Sequence, residues 1–151
     1  MKNALLQGFK ITNVEFVNNI KVASKKIELG FNYSYNVKYS NKDICVGELT
    51  AKITDKTAPD EFRITVVGQG IFKFSQDASK EQIHFSTYDD MYVHMRAFVS
   101  TLTVNSGMPP INIPYIDISK KDVYRVEMDK NGRPAPTADD FINPYADDNR
   151  G

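Results

Sequence analysis

Residue types that carry out chemistry are few in this chain. It has two histidines and one cysteine, Cys45, among 151 residues. Asp90 and His94 stand four residues apart, a spacing at which two side chains on one helix face can share a proton or a metal ion. A zinc site needs three or four ligands, and no further ligand follows at a useful spacing. The pair therefore favours support of a helix, and we expect no metal and no other cofactor.

Two further patterns resemble functional motifs. Gly68-Gln69-Gly70 begins like a dinucleotide-binding loop, but Lys73 occupies the third glycine position and more strand follows in place of a helix. A bulge or a close backbone approach explains the glycines better. The adjacent Asp89 and Asp90 would point in different directions on a helix, where an early acidic turn is expected. No nucleophile motif is present, so the sequence predicts no catalytic residues and no enzyme.

One long helix is predicted between Thr87 and Gly107. Its N-terminal cap is expected at Thr87, with Asp90 three residues later, and its end at Gly107, since Pro109 and Pro110 cannot continue it. Apolar residues at intervals of three and four form one stripe: Tyr88, Met91, Tyr92, Met95, Phe98, Val99 and Leu102.

A second apolar flank on the same helix comprises Val93, Ala97 and Val104. A helix that is apolar on two sides is typically covered on more than one side. Burying a large apolar side chain stabilises by roughly 1.5 to 3 kcal/mol, so leaving this flank in water would forfeit several such contributions. We therefore expect these three residues at an interface between subunits.

Four strands are predicted ahead of the helix, at residues 5–17, 27–39, 43–54 and 61–74. The second alternates apolar and polar residues most clearly, and its length suggests a bend or bulge near Gly30. A register shift is expected near Asn13, and a tight turn at Asn41 and Lys42. Strands followed by a helix predict an α+β fold with an antiparallel sheet. A short second helix is predicted from Ser119 to Met128.

Composition limits the function classes. The 19 basic and 19 acidic residues cancel, so no net field attracts nucleic acid, and Lys21, Lys25 and Lys26 are typical of a solvated turn. No apolar stretch is long enough for a membrane helix and the first ten residues lack a signal region, so we expect no membrane insertion and a cytoplasmic location. The lone cysteine fits a reducing compartment. We expect one domain over 1–128 and a mobile polar tail over 129–151.

Three segments resemble the SecB family of protein-export chaperones. After a helix that carries Arg96, the chain reads Gly107-Met108-Pro109-Pro110-Ile111-Asn112-Ile113-Pro114-Tyr115-Ile116-Asp117. This resembles the signature Gly-x-Pro-x-Leu/Ile-Asn-Leu/Ile-x-Pro-Val/Ile-Asp/Asn-Phe of the family. Val67-Gly68-Gln69-Gly70-Ile71-Phe72 resembles its strand ending Gln-Gly-Gly-Ile-Phe, and Phe9-Lys10-Ile11 its opening strand. The proline after Ile113 stands one place early, and Ile118 replaces a frequent aromatic. The resemblance covers roughly residues 9–128 in order.

The resemblance implies a four-stranded antiparallel sheet with one long and one short helix, assembled as a homotetramer in which helices lie between two sheets. It also implies an ATP-independent chaperone that holds unfolded or nascent polypeptides in an extended apolar groove. The residues expected to line that groove are Phe31, Tyr33, Tyr35, Met108, Ile111, Ile113, Tyr115 and Tyr124.

One departure concerns the export motor SecA. Family members that deliver clients to SecA dock through acidic residues on the sheet, and the corresponding positions are Asn18, Val22 and Thr65. None is acidic, so SecA docking is doubtful unless Glu15 or Glu48 substitutes.

Several functions stay open on the sequence alone. Other SecB-like proteins are chaperones dedicated to the antitoxin of a toxin–antitoxin system, a role that needs a groove but no motor. A small sheet with a helix also suits a ligand-binding or scaffold domain, which would hold a closed pocket.

Overall fold

The computed structural model describes residues 3–21 and 27–117. The described residues up to Tyr115 form one compact unit, and Ile116 and Asp117 belong to a second one. The predicted short helix, the predicted tail and the candidate groove residue Tyr124 lie outside the described residues.

Four strands form one antiparallel sheet, and a single long helix follows them. The strands are β1 (Ala4–Asn18), β2 (Leu29–Tyr39), β3 (Ile44–Asp55) and β4 (Phe62–Phe74), and the helix is α1 (Lys80–Asn105). Their order in the sheet is β1-β4-β3-β2, so β1 and β2 are the edges. The structure confirms the predicted α+β fold and each predicted strand to within two residues.

The two edge strands differ in regularity. Pairing of β1 with β4 shifts register between Leu6 and Gly8 and again between Ile11 and Asn13, and the second shift confirms the irregularity expected near Asn13. Pairing of β2 with β3 has no shift from Leu29 to Tyr39. The bulge expected near Gly30 is therefore absent, and the strand, at 11 residues, is shorter than the predicted range of 27–39.

The turn between β2 and β3 confirms the predicted hairpin. The side-chain oxygen of Asn41 accepts hydrogen bonds from the backbone N–H groups of Asp43 (3.2 Å) and Ile44 (3.0 Å). An asparagine that bonds backbone groups two and three residues on stabilises such a turn locally.

Helix α1 begins earlier than its apolar stripe predicted. Ser79 caps it, accepting from the Gln82 N–H at 3.0 Å, and the Gln82 side chain accepts from the Ser79 N–H at 2.9 Å, which completes a capping box. The predicted cap Thr87 is instead a buried interior residue whose hydroxyl donates to the Ile83 carbonyl at 2.8 Å. The predicted end is confirmed, since the helix ends at Asn105 and Gly107 has a φ of 85°.

The predicted stripe covers the sheet. Tyr88, Met91, Met95 and Val99 are fully buried. They lie over one face of β3 and β4, whose alternate residues are also buried: Cys45, Leu49, Ala51, Ile53, Phe62, Ile64, Val66 and Phe72. Period-two burial in the strands and a single helical stripe together make one core between helix and sheet.

Glycines let the helix lie close to the middle of the sheet. A Cβ at Gly70 would stand 2.5 Å from the Met91 sulfur, and one at Gly68 would stand 3.4 Å from the terminal methyl of Met95. The Gly68-Gln69-Gly70 segment is therefore a close approach within an unbroken strand, as one of the two predicted alternatives stated.

Gly47 makes the tightest of these approaches. A Cβ there would lie 2.3 Å from the Tyr35 hydroxyl oxygen and 3.0 Å from its ring carbon Cζ. The Tyr35 hydroxyl donates to the Thr87 hydroxyl on α1. Because the ring is rigid and buried, a methyl group at Gly47 would displace it and break this bond between sheet and helix.

We expect Gly47→Ala to lower the free energy of unfolding by about 1 to 3 kcal/mol, as overpacking usually does. The measurement is urea unfolding followed by circular dichroism. Gly8→Ala is the matched control, because a Cβ at Gly8 meets nothing within 4 Å. Its effect should stay within about 0.5 kcal/mol. Equal stability of the two variants would contradict the packing described.

Candidate functional site

Beyond α1 the chain turns back and runs along the helix. We call residues 108–115 the return segment. The Met108 N–H donates to the Thr103 carbonyl at 3.1 Å, and the Ile111 N–H donates to the Thr103 hydroxyl at 2.9 Å. The same hydroxyl donates to the Val99 carbonyl at 3.0 Å. Thr103 thus accepts hydrogen bonds from two backbone N–H groups, those of Met108 and Ile111, at the start of a segment whose prolines cannot continue the helix.

Two tyrosines hold the far end of the return segment by its backbone. Tyr33 of β2 donates its hydroxyl to the Pro114 carbonyl at 2.7 Å. Tyr92 of α1 donates to the Ile113 carbonyl at 2.8 Å. The segment is therefore fixed to the sheet on one side and to the helix on the other. Main-chain anchors of this kind leave the side chains of the segment available for other contacts.

Tyrosine rings cluster where the return segment ends. Tyr115 stands edge-on to Tyr92, with ring centroids 5.2 Å apart and planes at 85°, and lies 5.9 Å from Tyr88. Tyr88 in turn lies 5.5 Å from Tyr35. The Tyr115 hydroxyl donates to the Asp89 carboxylate at 2.7 Å. Edge-to-face pairs at these distances stabilise a cluster beyond simple burial.

The candidate groove residues fall into two groups. Tyr33, Tyr35, Ile111 and Ile113 are buried, the last with 1% of its surface exposed. Tyr115 is 50% exposed, and Phe31 and Met108 are half-buried. The Tyr33 hydroxyl bonds to the carbonyl of Pro114, the residue before Tyr115, whereas Met108 lies at the opposite end of the return segment. That these residues bind a polypeptide remains a prediction.

The second apolar flank of α1 is exposed. Val93 is 61% exposed and Val104 49% exposed, and Ala97 between them is also exposed. Their spacing places the three residues on one helix face, turned away from the buried stripe. The surface expected to meet another subunit is thus uncovered in this chain, while the contact itself remains a prediction.

Burial shifts the pKa of the titratable groups beneath the tyrosine cluster toward the neutral form of each group. It raises the pKa of Tyr33 and of Tyr35 far above the ordinary value for a phenol, and it lowers the pKa of His84 to about 4. His84 packs against the Tyr35 ring, with centroids 5.1 Å apart. Burial also raises the pKa of the Cys45 thiol to about 11, so that this cysteine is a neutral core residue at pH 7.

Asp90 and His94, the pair considered for proton or metal chemistry, contact each other within the helix. His94 approaches the backbone carbonyl of Asp90, with Nδ1 3.0 Å from that oxygen, and its ring lies 5.0 Å from the Phe9 ring. Across residues 3–21 and 27–117, no group of three or more His, Cys, Asp or Glu side chains is arranged to hold a metal ion. Within the same residues, no helix has the length and apolar character to span a membrane.

The anchoring roles of Tyr92, Thr103 and Asp89 were not predicted. Tyr92 was counted in the apolar stripe, and Asp89 as part of an acidic first turn. The available signal was the tyrosine in an apolar stripe, since a buried phenol hydroxyl usually finds a partner. Which carbonyl it meets depends on the path of the return segment, which local spacing does not specify.

Comparison with known proteins identifies the fold of this chain but does not assign it to a family. No family model matches the chain. An uncharacterised protein, MJ0357, of Methanocaldococcus jannaschii is 25% identical over 120 residues, covering 74% of this chain and 77% of that protein. The structure of the SecB-like chaperone Rv1957 of Mycobacterium tuberculosis, in complex with a ChAD peptide from the HigA1 antitoxin Rv1956, matches with a TM-score of 0.61 at 12% identity.

The match with the mycobacterial structure covers 76% of this chain and 91% of that one. The fold is SecB-like. The predicted SecB-like arrangement of a four-stranded antiparallel sheet and one long helix is therefore confirmed. At 12% identity the likeness establishes the fold alone, and activity has to be argued from the residues of this chain.

Replacing Tyr33 and Tyr92 together by phenylalanine should loosen the return segment while the sheet remains intact. Each lost hydroxyl removes a bond worth about 0.5 to 1.5 kcal/mol, so backbone exchange in residues 108–115 should quicken by up to about a hundredfold. Hydrogen exchange followed by mass spectrometry measures this. Peptides from β3 in the same sample provide the control, and a uniform increase across β3 and the return segment would contradict local anchoring.

Proposed function

We propose that this protein is an ATP-independent chaperone that holds unfolded or nascent polypeptides against the apolar surface beside the return segment. The observation that carries the proposal is the return segment itself. Its backbone is fixed by Tyr33, Tyr92 and Thr103, and Tyr115 and Met108 remain partly exposed along it. The SecB-like fold supports the proposal, because the mycobacterial chaperone with that fold is described in complex with a peptide.

The chemistry of this surface suits clients of varied sequence. Aromatic rings and a methionine offer large, adaptable apolar contact without a fixed pattern of charges. A client segment bound in extended form is withdrawn from aggregation, and binding energy alone is sufficient because no covalent step is involved. We accordingly infer no catalytic residues, no cofactor, and no role for nucleic acid or membrane insertion.

We further propose a homotetramer built as a dimer of dimers, with α1 helices between sheets. The support is the exposed flank of Val93, Ala97 and Val104, which lies opposite the buried stripe of the same helix. Exposed apolar side chains that share one helix face favour an interaction site there. Closed symmetric assembly would cover the flank. The compartment that we propose for the protein is the cytoplasm.

A chaperone dedicated to an antitoxin is the second candidate. The specific observation in its favour is that the mycobacterial structure contains an antitoxin peptide.

Delivery to SecA is less well supported. Asn18 and Thr65 are not acidic, Glu15 is paired with Arg63 at 3.5 Å, and Glu48 accepts from Gln69 at 2.9 Å. Glu15 therefore already has a basic partner within this chain.

Tyr115→Ala should weaken client holding without unfolding the protein, because Tyr115 is half-exposed and its loss removes contact area at the surface. The assay is suppression of aggregation of a chemically unfolded protein, with no nucleotide added. We expect about three- to tenfold more chaperone to be needed for equal suppression. Tyr39→Ala, a loss of another exposed tyrosine, is the control. Equal activity of all three proteins would count against this surface.

Light scattering coupled to size exclusion should give about four subunits for the native chain. Val93→Asp should reduce that number, since it would bury an unpaired charge in the proposed interface. Asn32→Asp, at an exposed position of β2, introduces the same charge and should leave assembly unchanged. A monomer for the native chain, or no response to Val93→Asp, would contradict the assembly.

A further inference from the structure

The face of the sheet turned away from α1, called the outer face here, carries two large aliphatic side chains that the fold leaves uncovered. Leu5 of β1 is 50% exposed and Ile71 of β4 is 46% exposed. Both belong to the strand positions that alternate with the buried ones, so they point away from the helix. Neither contributes to the core or to the return segment.

Strand pairing brings these side chains together with two others. Ile71 pairs with Val46 of β3 on one side and with Gly8 of β1 on the other. Gly8 has open space where a side chain would stand, so nothing on β1 covers Ile71 from that side. Lys73 lies between Leu5 and Ile44 in the next row. The outer apolar patch is therefore Leu5, Ile44, Val46 and Ile71.

Lysines border the outer apolar patch. Lys38 pairs with Val46 in register, Lys10 pairs with Gln69 in the row beside Gly8, and Lys73 stands within the patch. All three are exposed. The acidic residues nearby are already in contact with partners: Asp43 lies 3.9 Å from Lys73, and Glu48 accepts from Gln69.

The outer face as a whole also carries more basic than acidic residues. The charged residues that the strands place on it are Lys10, Lys38, Lys52, Arg63, Lys73, Glu15 and Glu48. Five basic residues against two acidic ones, with Asp43 beside Lys73 as a third, still leave this face positive in a chain whose total charge is zero. Positive charge concentrated around an apolar centre favours a partner with the opposite pattern.

We propose that the outer apolar patch docks a polypeptide segment in which acidic residues flank a cluster of branched apolar ones. Apolar side chains of the partner would cover Ile71 and Leu5, and its carboxylates would meet Lys10 and Lys38. Nucleic acid fits less well, because phosphate recognition uses many cations and gains little from aliphatic residues at the centre. A second copy of the same face fits poorly, since two positive faces repel each other. The proposal does not depend on chaperone activity.

The test measures fluorescence anisotropy of a labelled peptide of about twelve residues, with valine and leucine at its centre and glutamates on both sides, titrated with the full chain. The comparison peptide carries lysine in place of each glutamate. We expect the acidic peptide to bind at least about tenfold more tightly than the lysine peptide. Ile71→Asp should weaken acidic-peptide binding about tenfold, and the exposed double change Lys10→Glu with Lys38→Glu should do the same.

Two control variants locate the effect. Lys52→Glu reverses a charge on the other half of the outer face and should change binding by less than about twofold. Tyr115→Ala should leave acidic-peptide binding unchanged, which separates this patch from the client surface. If client holding fails while the acidic peptide still responds to Ile71→Asp, the proposed chaperone function is wrong and the docking patch stands.

Four results would overturn the proposal. They are equal affinity for the two peptides, no effect of the lysine reversals, displacement of the acidic peptide by a single-stranded oligonucleotide of about twelve nucleotides, and a lower subunit number in Ile71→Asp by light scattering. The last would make the patch an interface between copies of this chain. Because Lys10 and Lys38 are exposed, their reversal tests the patch even where Ile71→Asp disturbs folding.

Discussion

Close contact between α1 and the centre of the sheet is the constraint on which the structure depends. Gly47, Gly68 and Gly70 leave room that side chains of Tyr35, Met91 and neighbouring residues occupy. Since protein interiors are packed at crystal-like density, a helix held this close has little freedom to tilt or slide. The fixed helix then determines where the chain must run after Gly107, and hence where the return segment lies.

The return segment gains rigidity from polar bonds and keeps Tyr115 and Met108 at least partly at the surface. Hydroxyl groups of Tyr33, Tyr92 and Thr103 satisfy its backbone, whereas Tyr115 remains half-exposed above the tyrosine cluster. A preorganised backbone reduces the entropy lost when a partner binds. The fold thus presents three separate apolar surfaces: the side beside the return segment, the exposed flank of α1, and the outer face of the sheet.

The strands and the helix could be predicted from the sequence because buried residues recur at every second position in a strand and every three to four positions in a helix. Alternation over β2 and three-to-four spacing along α1 each identify one buried face. The start of α1 was missed because the stripe begins at Tyr88, while the capping box at Ser79 lies two turns earlier. Burial of Tyr33 could not be predicted, since alternation indicates which face a residue occupies but not what covers it. Strand order and the anchors of the return segment depend on contacts between residues distant in sequence.

The most direct test of the account places a photo-cross-linking benzoylphenylalanine at Tyr115, at Met108 or at Lys52 and irradiates the protein while it holds an unfolded client. Tyr115 and Met108 lie on the return segment, and Lys52 lies on the outer face. We expect cross-links to the client from Tyr115 and Met108 and none from Lys52. Cross-links from Lys52 alone, with the client held, would contradict the central claim that the return segment forms the client surface.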